Sequence, residues 1–113
     1  MRIAVASHGL DVAEHLSSTT NFTCYTTESF NIVSVQNLPI IGSSIDGWAQ
    51  ALASVGMDVL IVDKADDFAL QSFTSRGIEV SQNAHGSAHQ AAMDFLTQRS
   101  RELDLEFKNR SKE

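Results

Sequence analysis

Four histidines and one cysteine are the side chains of this 113-residue chain best suited to chemistry. His8 and His15 fall in one polar stretch, residues 7–19, which also holds Gly9 and Asp11. His85 and His89 stand four residues apart with Gly86 between them, and Cys24 lies in an aromatic setting beside Phe22 and Tyr25. Neutral imidazole is a good ligand for zinc, iron, copper and nickel, and thiolate is a soft one. The chemistry on offer is ligation of a metal ion or cluster. For Cys24 two fates stand open: a buried small thiol in the core, or a soft ligand turned toward a site. His85 and His89 could share a helical face, with Gly86 weakening the pairing.

Catalytic patterns are missing. Ser7, Ser17 and Ser18 lie near histidines without a nucleophile motif around them. The glycines form neither a P-loop nor a dinucleotide fingerprint. Two-metal hydrolysis of nucleic acid requires carboxylates on central strands. The first strand, RIAVA, has none, and Asp63, Asp66 and Asp67 read as ending a strand and capping a helix. The expectation is a protein that is not an enzyme.

Composition narrows the partners. The length fits one domain, and 42% hydrophobic against 19% charged residues fits a folded one. Net charge is −6. Residues 1–98 carry only Arg2, Lys64 and Arg76 as cations, against ten carboxylates. A body without clustered Lys and Arg is unsuited to nucleic acid or to an anionic membrane surface. No apolar run approaches a membrane span, and the N-terminus enters a strand without a signal-peptide layout, so the expected location is cytoplasmic. A lone cysteine excludes a disulfide and an all-cysteine metal site within one chain.

The elements that must position these side chains follow from periodicity. Residues 2–6 predict a strand buried on both faces. Residues 7–19 read as loop. Residues 21–26 and 30–36 read as an antiparallel hairpin joined by the polar link 27–29. A connection over 37–42 holds the only proline, Pro39. Ser43 or Ser44 caps a helix whose apolar spacing is Ile45, Trp48, Ala49 and Leu52, stopped at Gly56. Residues 58–62 predict a buried strand. Asp66 or Asp67 caps a second helix carrying Phe68, Ala69, Leu70 and Phe73, ending at Gly77, and 77–80 is a short strand. Ser87 opens a last helix, with Gln90 as capping-box partner and Ala88, Ala91, Ala92, Phe95 and Leu96 on its apolar face. Past Arg99 the helical pattern weakens, and 108–113 should fray.

The order β-β-β-α-β-α-β-α predicts an α/β fold: one domain, a mixed five-stranded sheet with helices on its faces. A three-strand meander precedes two parallel strands, with the first strand central. Ligands of open α/β sheets bind beyond the carboxyl ends of the parallel strands. Three loops would share that rim: His8, Gly9, Asp11 and His15; then Asp63, Lys64, Asp66 and Asp67; then Gln82, Asn83, His85 and Gly86. The candidate metal ligands are therefore His15, His8, Cys24 and His85. Ser7, Gly9 and Gly86 join His15 as candidate cofactor contacts.

Several motifs in order carry a resemblance. They are MRIAVAS, His8-Gly9, the run Val12-Ala13-Glu14-His15-Leu16-Ser17 and the aromatic strand Asn21-Phe22-Thr23-Cys24-Tyr25. Gly56-Met57-Asp58-Val59-Leu60-Ile61-Val62, Gly77-Ile78-Glu79-Val80 and the segment from Gly86 to Leu96 follow. Over residues 1–98 the chain resembles the dinitrogenase iron–molybdenum cofactor biosynthesis family, small α/β domains with a ribonuclease H-like motif. The remaining residues, 99–113, read as a charged helical extension and tail. His8 stands where that family has aspartate, Leu16 and Ser17 where it has Phe-Gly, and Asp63-Lys64-Ala65-Asp66 where it has a glycine-rich loop.

The resemblance implies a non-catalytic accessory or carrier domain that binds a metal cluster or metal ion, with His15 as the family histidine. The implied cofactor is an iron–sulfur or iron–molybdenum-type cluster. One cysteine cannot hold a cluster alone, so it would be bound transiently, imported, or shared between chains of a homodimer. The implied partner is a metal-cluster donor or acceptor protein. The second reading is a diverged member that has lost cofactor binding and serves as a protein-interaction or regulatory module.

Overall fold

Ile3, Ala4, Val5 and Ala6 are almost wholly removed from solvent, which only a strand covered on both faces achieves. They form the middle of β1 (Arg2–His8), the central strand. The computed structural model describes residues 1–40, 42 and 44–111; Ser43, one of the two expected helix caps, Ile41 in the expected connection, and Lys112 and Glu113 in the expected fraying tail lie outside the described residues.

Three strands precede the first helix besides β1: β2 (Asp11–Val12), β3 (Asn21–Glu28) and β4 (Asn31–Pro39). Then alternate α1 (Ile45–Ser54), β5 (Val59–Ile61), α2 (Asp67–Thr74), β6 (Glu79–Ser81) and α3 (Ala88–Ser111). The sheet order is β4-β3-β1-β5-β6, with β2 on the far end of β1. β3 and β4 run antiparallel to their neighbours; β1, β5 and β6 are parallel. The architecture is the expected mixed α/β sheet, with six strands instead of five.

The sixth strand corrects the reading of residues 7–19 as loop. β1 runs on to His8, turns through Gly9 and Leu10, and returns as β2 with His8 opposite Asp11. Gly9 has φ 67°, the conformation that the first central residue of such a two-residue turn requires. A short turn at Leu16–Ser18 then leads into β3. The second hairpin also turns more tightly than expected. β3 continues to Glu28, which pairs with Asn31 and leaves only Ser29 and Phe30 in the turn.

Alternation along β1 divides the core into two layers. Ala4, Ala6, Phe22, Cys24, Leu60 and Val62 face α1 and α2, where the Phe22 and Trp48 rings meet edge to face at 6.0 Å. Ile3, Val5, Tyr25, Val59 and Ile61 face Ala88, Ala92 and Leu96 of α3. The helix starts are capped. Ser44 Oγ accepts the Gly47 N–H (2.8 Å), Asp66 Oδ1 the Ala69 N–H (2.9 Å), and Ser87 Oγ the Gln90 N–H (3.0 Å). α3 does not weaken at Arg99 but runs on to Ser111, with Leu103, Leu105 and Phe107 exposed. None of the described helices is long and apolar enough to cross a membrane.

Candidate functional site

The parallel strands β1, β5 and β6 end at one edge, and backbone hydrogen bonds lace the three loops that leave them. The Leu16 N–H donates to Lys64 O (2.9 Å), placing His15 beside Lys64. The Val12 N–H donates to Gly86 O (2.8 Å) and the Ala88 N–H to Leu10 O (2.9 Å). The Asn83 N–H donates to Asp63 O (2.9 Å). Each pair of loops is thus tied by main chain, which fixes the rim independently of its side chains.

The expected site residues divide by what they offer a ligand. His15 is exposed and lines a depression of about 310 Å³ with Ser17, Ile45, Lys64, Ala65 and Asp66. His8, also exposed, lines a separate depression of about 410 Å³ with Asp11, Glu14 and Ser18. His85 opens onto a third, of about 680 Å³, between β6 and α3. The three histidines share a rim but not a pocket. Among the described residues no group of three or more His, Cys, Asp or Glu side chains is arranged to hold a metal ion. His85 and His89 do not share a helical face, because α3 begins at Ala88 and Gly86 has φ 81°. His89 lies against the Tyr25 ring at 6.1 Å instead.

Ser7 and Cys24 turn inward. Ser7 is fully buried, and its hydroxyl is engaged by Val5 O and Thr23 Oγ1, both at 2.9 Å. It offers nothing to a ligand at the rim. Cys24 is 4% exposed, opposite Ala4 in the middle of β1, and lies in the α1–α2 core. Burial pushes its thiol up to about 11, against a smaller opposing pull from Arg2. A thiol held neutral at this depth is no rim ligand, because metals take the thiolate. Gly9 and Gly86 are exposed, and a Cβ at either would meet no atom within 4 Å. They serve the turn conformation and loop lacing. Gly9 donates its N–H to Asn21 Oδ1 (2.9 Å) and accepts from Asn21 Nδ2 (3.1 Å).

Two residues acquire roles that sequence reading did not give them. Lys64 is exposed, is bridged to His15 through the backbone and lines the same depression, with no ion-pair partner among the described residues. Asp63, read as a strand end, is 8% exposed. Its Oδ2 lies 3.2 Å from His85 Nδ1, while Oδ1 is buried without a hydrogen-bond partner. A carboxylate so placed holds the imidazole by Nδ1 and leaves Nε2 directed away from it. The signal for this pair was the adjacency of the loops after β5 and β6.

The arrangement is therefore one imidazole, one lysine and the helix-capping Asp66 carboxylate in one depression, with a carboxylate-held imidazole elsewhere on the rim. The sequence profile described as dinitrogenase iron-molybdenum cofactor matches residues 1–98. The chain belongs to the dinitrogenase iron-molybdenum cofactor family. Solved structures share its fold. A protein called PH0822 superposes with TM-score 0.81 at 17% identity, over 87% of this chain and 90% of that one. The apo form of the orange protein from Desulfovibrio gigas gives 0.72 at 24% identity, over 86% and 88%. A Methanocaldococcus jannaschii protein provisionally named a dinitrogenase gives 0.70 at 11% identity, over 87% and 89%. No curated protein matches the chain in sequence. Within the dinitrogenase iron-molybdenum cofactor family fold, the loop after β5 carries Lys64 and two carboxylates, Asp63 and Asp66.

Proposed function

We propose that this chain is a non-catalytic accessory or carrier domain that takes up a pre-assembled, anionic metal cluster at the His15 depression. The reading rests on one observation: His15 and Lys64 line the same depression, fixed there by the Leu16–Lys64 backbone bond. A bare metal ion needs three or four protein donors, and the described residues of this depression supply two candidates, the His15 imidazole and the Asp66 carboxylate, whose Oδ1 already caps α2. A cluster that brings its own ligands needs only an open coordination position and compensation for its charge. His15 would provide the ligand and Lys64 the compensation. One protein ligand makes the complex transient, as transfer between a donor and an acceptor protein requires. The cluster is cargo here, and no step of bond making on it is asked of the protein.

Anaerobic titration with an iron–sulfur or iron–molybdenum cluster, followed by absorbance and elemental analysis, tests the reading. Wild type should bind, and His15→Ala and Lys64→Glu should each weaken binding at least about tenfold, the loss of one ligand or charge contact. A wild-type protein that takes up no cluster would sink the carrier role. The second reading, a module for protein contact, is favoured by a different feature, the groove beside β6.

A further inference from the structure

β6 ends the sheet, and its outer edge pairs with no strand among the described residues. In a parallel pair, alternate residues bond to the neighbouring strand. The Glu79 N–H donates to Asp58 O (3.0 Å), and Ser81 O accepts from the Val62 N–H (2.8 Å). Glu79 and Ser81 thus serve β5, and Val80 between them turns its N–H and C=O outward. Beside this edge lies the 680 Å³ groove between β6 and α3. Ile61, Ala91 and Phe95 give it an apolar floor, and Glu79, Asp94 and Glu102 an acidic rim. Among the described lining residues Arg99 is the only Lys or Arg, and its charge is already engaged. It pairs with Glu79 and with Glu102 (3.6 Å) and lies 5.0 Å over the Phe95 ring.

We propose that this groove receives an extended segment of a partner protein, which adds to β6 as a further strand through Val80 and directs a lysine or arginine to Asp94 and Glu102. Strand addition supplies affinity through main-chain bonds, and the alternate side chains that enter the groove supply selectivity. Three carboxylates against one occupied guanidinium select a basic segment over an acidic one. The edge is three residues long, so the contact is small and suits a transient encounter. The groove lies on the α3 side of the sheet and the His15 depression on the α1–α2 side, so this inference stands apart from the cluster reading.

The test is a fluorescent positional-scanning library of acetylated nonapeptides, each position fixed in turn as Lys, Glu, Val or Gly, with binding read by polarisation. Lys should be selected over Glu at one or more positions. The best peptide should shift the amide resonances of Val80, Ser81 and α3 residues 91–102. Val80→Pro removes the outward N–H while leaving the β5 ladder intact, and should weaken binding at least about tenfold. N-methylation of alternate residues of the peptide should do the same with the protein unaltered, which decides the matter even where V80P fails to fold. Asp94→Lys with Glu102→Lys should move the preference to Glu. A library with no selected position overturns the proposal. So does binding that is indifferent to both Val80→Pro and peptide N-methylation.

Discussion

Cys24 shows what burial does to a residue whose type alone promised metal chemistry. Its thiol is raised from its ordinary 9.0 to about 11, first by desolvation. Below pH 9 it is neutral in both folded and unfolded chains. Between pH 9 and 11 the unfolded chain ionises while the native thiol stays protonated, so native stability falls as pH rises through this window. The loss attributable to Cys24 is at most about 2 kcal/mol. Denaturant unfolding at pH 8 and pH 10.5 should show a larger drop for wild type than for Cys24→Ala. Tyr25 is also raised, first by burial and then by the neighbouring Cys24 thiolate, so Cys24→Ala relieves part of the Tyr25 shift as well and widens the difference in the same direction. A thiol reagent at pH 8 should label Cys24 only after unfolding. The histidines give the opposite lesson. All four are exposed, and their value depends on neighbours: Lys64 for His15, Asp63 for His85 and the Tyr25 ring for His89. Residue type named the candidates, but neighbours across loops decided their chemistry.

At the scale of elements, the β3–β4 turn departs most from local preference. Ser29 has φ 50° and Phe30 φ 65°, where glycine and asparagine are at ease and other residues are strained by about 1 kcal/mol. Local pattern placed Phe30 in the following strand. The half-buried Phe30 side chain instead packs against the α3-side core, and this holds the strained turn. Ser29 is exposed and has no such anchor. Ser29→Asn should therefore raise stability by roughly 0.5 kcal/mol, and Phe30→Gly should gain less or lose, since it discards packing along with strain. Thermal unfolding of the two variants separates these outcomes. Helix starts were legible because capping is local. Ser44, Asp66 and Ser87 all accept the N–H three residues on. Asp66→Ala should cost about 1 kcal/mol. The two-residue strand β2 was not legible, because only its bonds to β1 and its proximity to Ser87 make it a strand.

The whole molecule extends 51 × 26 × 23 Å, long for its mass because α3 runs 24 residues. Its first half covers the sheet, and Arg99 lies over Phe95 and against Glu79. Leu103, Leu105 and Phe107 remain exposed beyond it. Ending the chain after Glu102 should thus shift the unfolding midpoint by less than about 3 °C, whereas ending it after Gln98 should cost about 1 kcal/mol more by baring Phe95 and freeing Glu79. Differential scanning calorimetry of the two truncated chains checks this. The sequence by itself determined the order of elements apart from β2, the central β1 with both faces buried, the family over residues 1–98 and the absence of a basic surface on the body. Each of these follows from periodicity, capping, composition or motif order, all written in neighbouring residues. Only the tertiary structure decided that Ser7 and Cys24 turn inward. It also separated His8, His15 and His85 into different depressions, brought Lys64 beside His15, and left Val80 at an open edge. Those outcomes depend on how strands far apart in the chain register against one another, and a one-residue change of register exchanges the two faces of a strand.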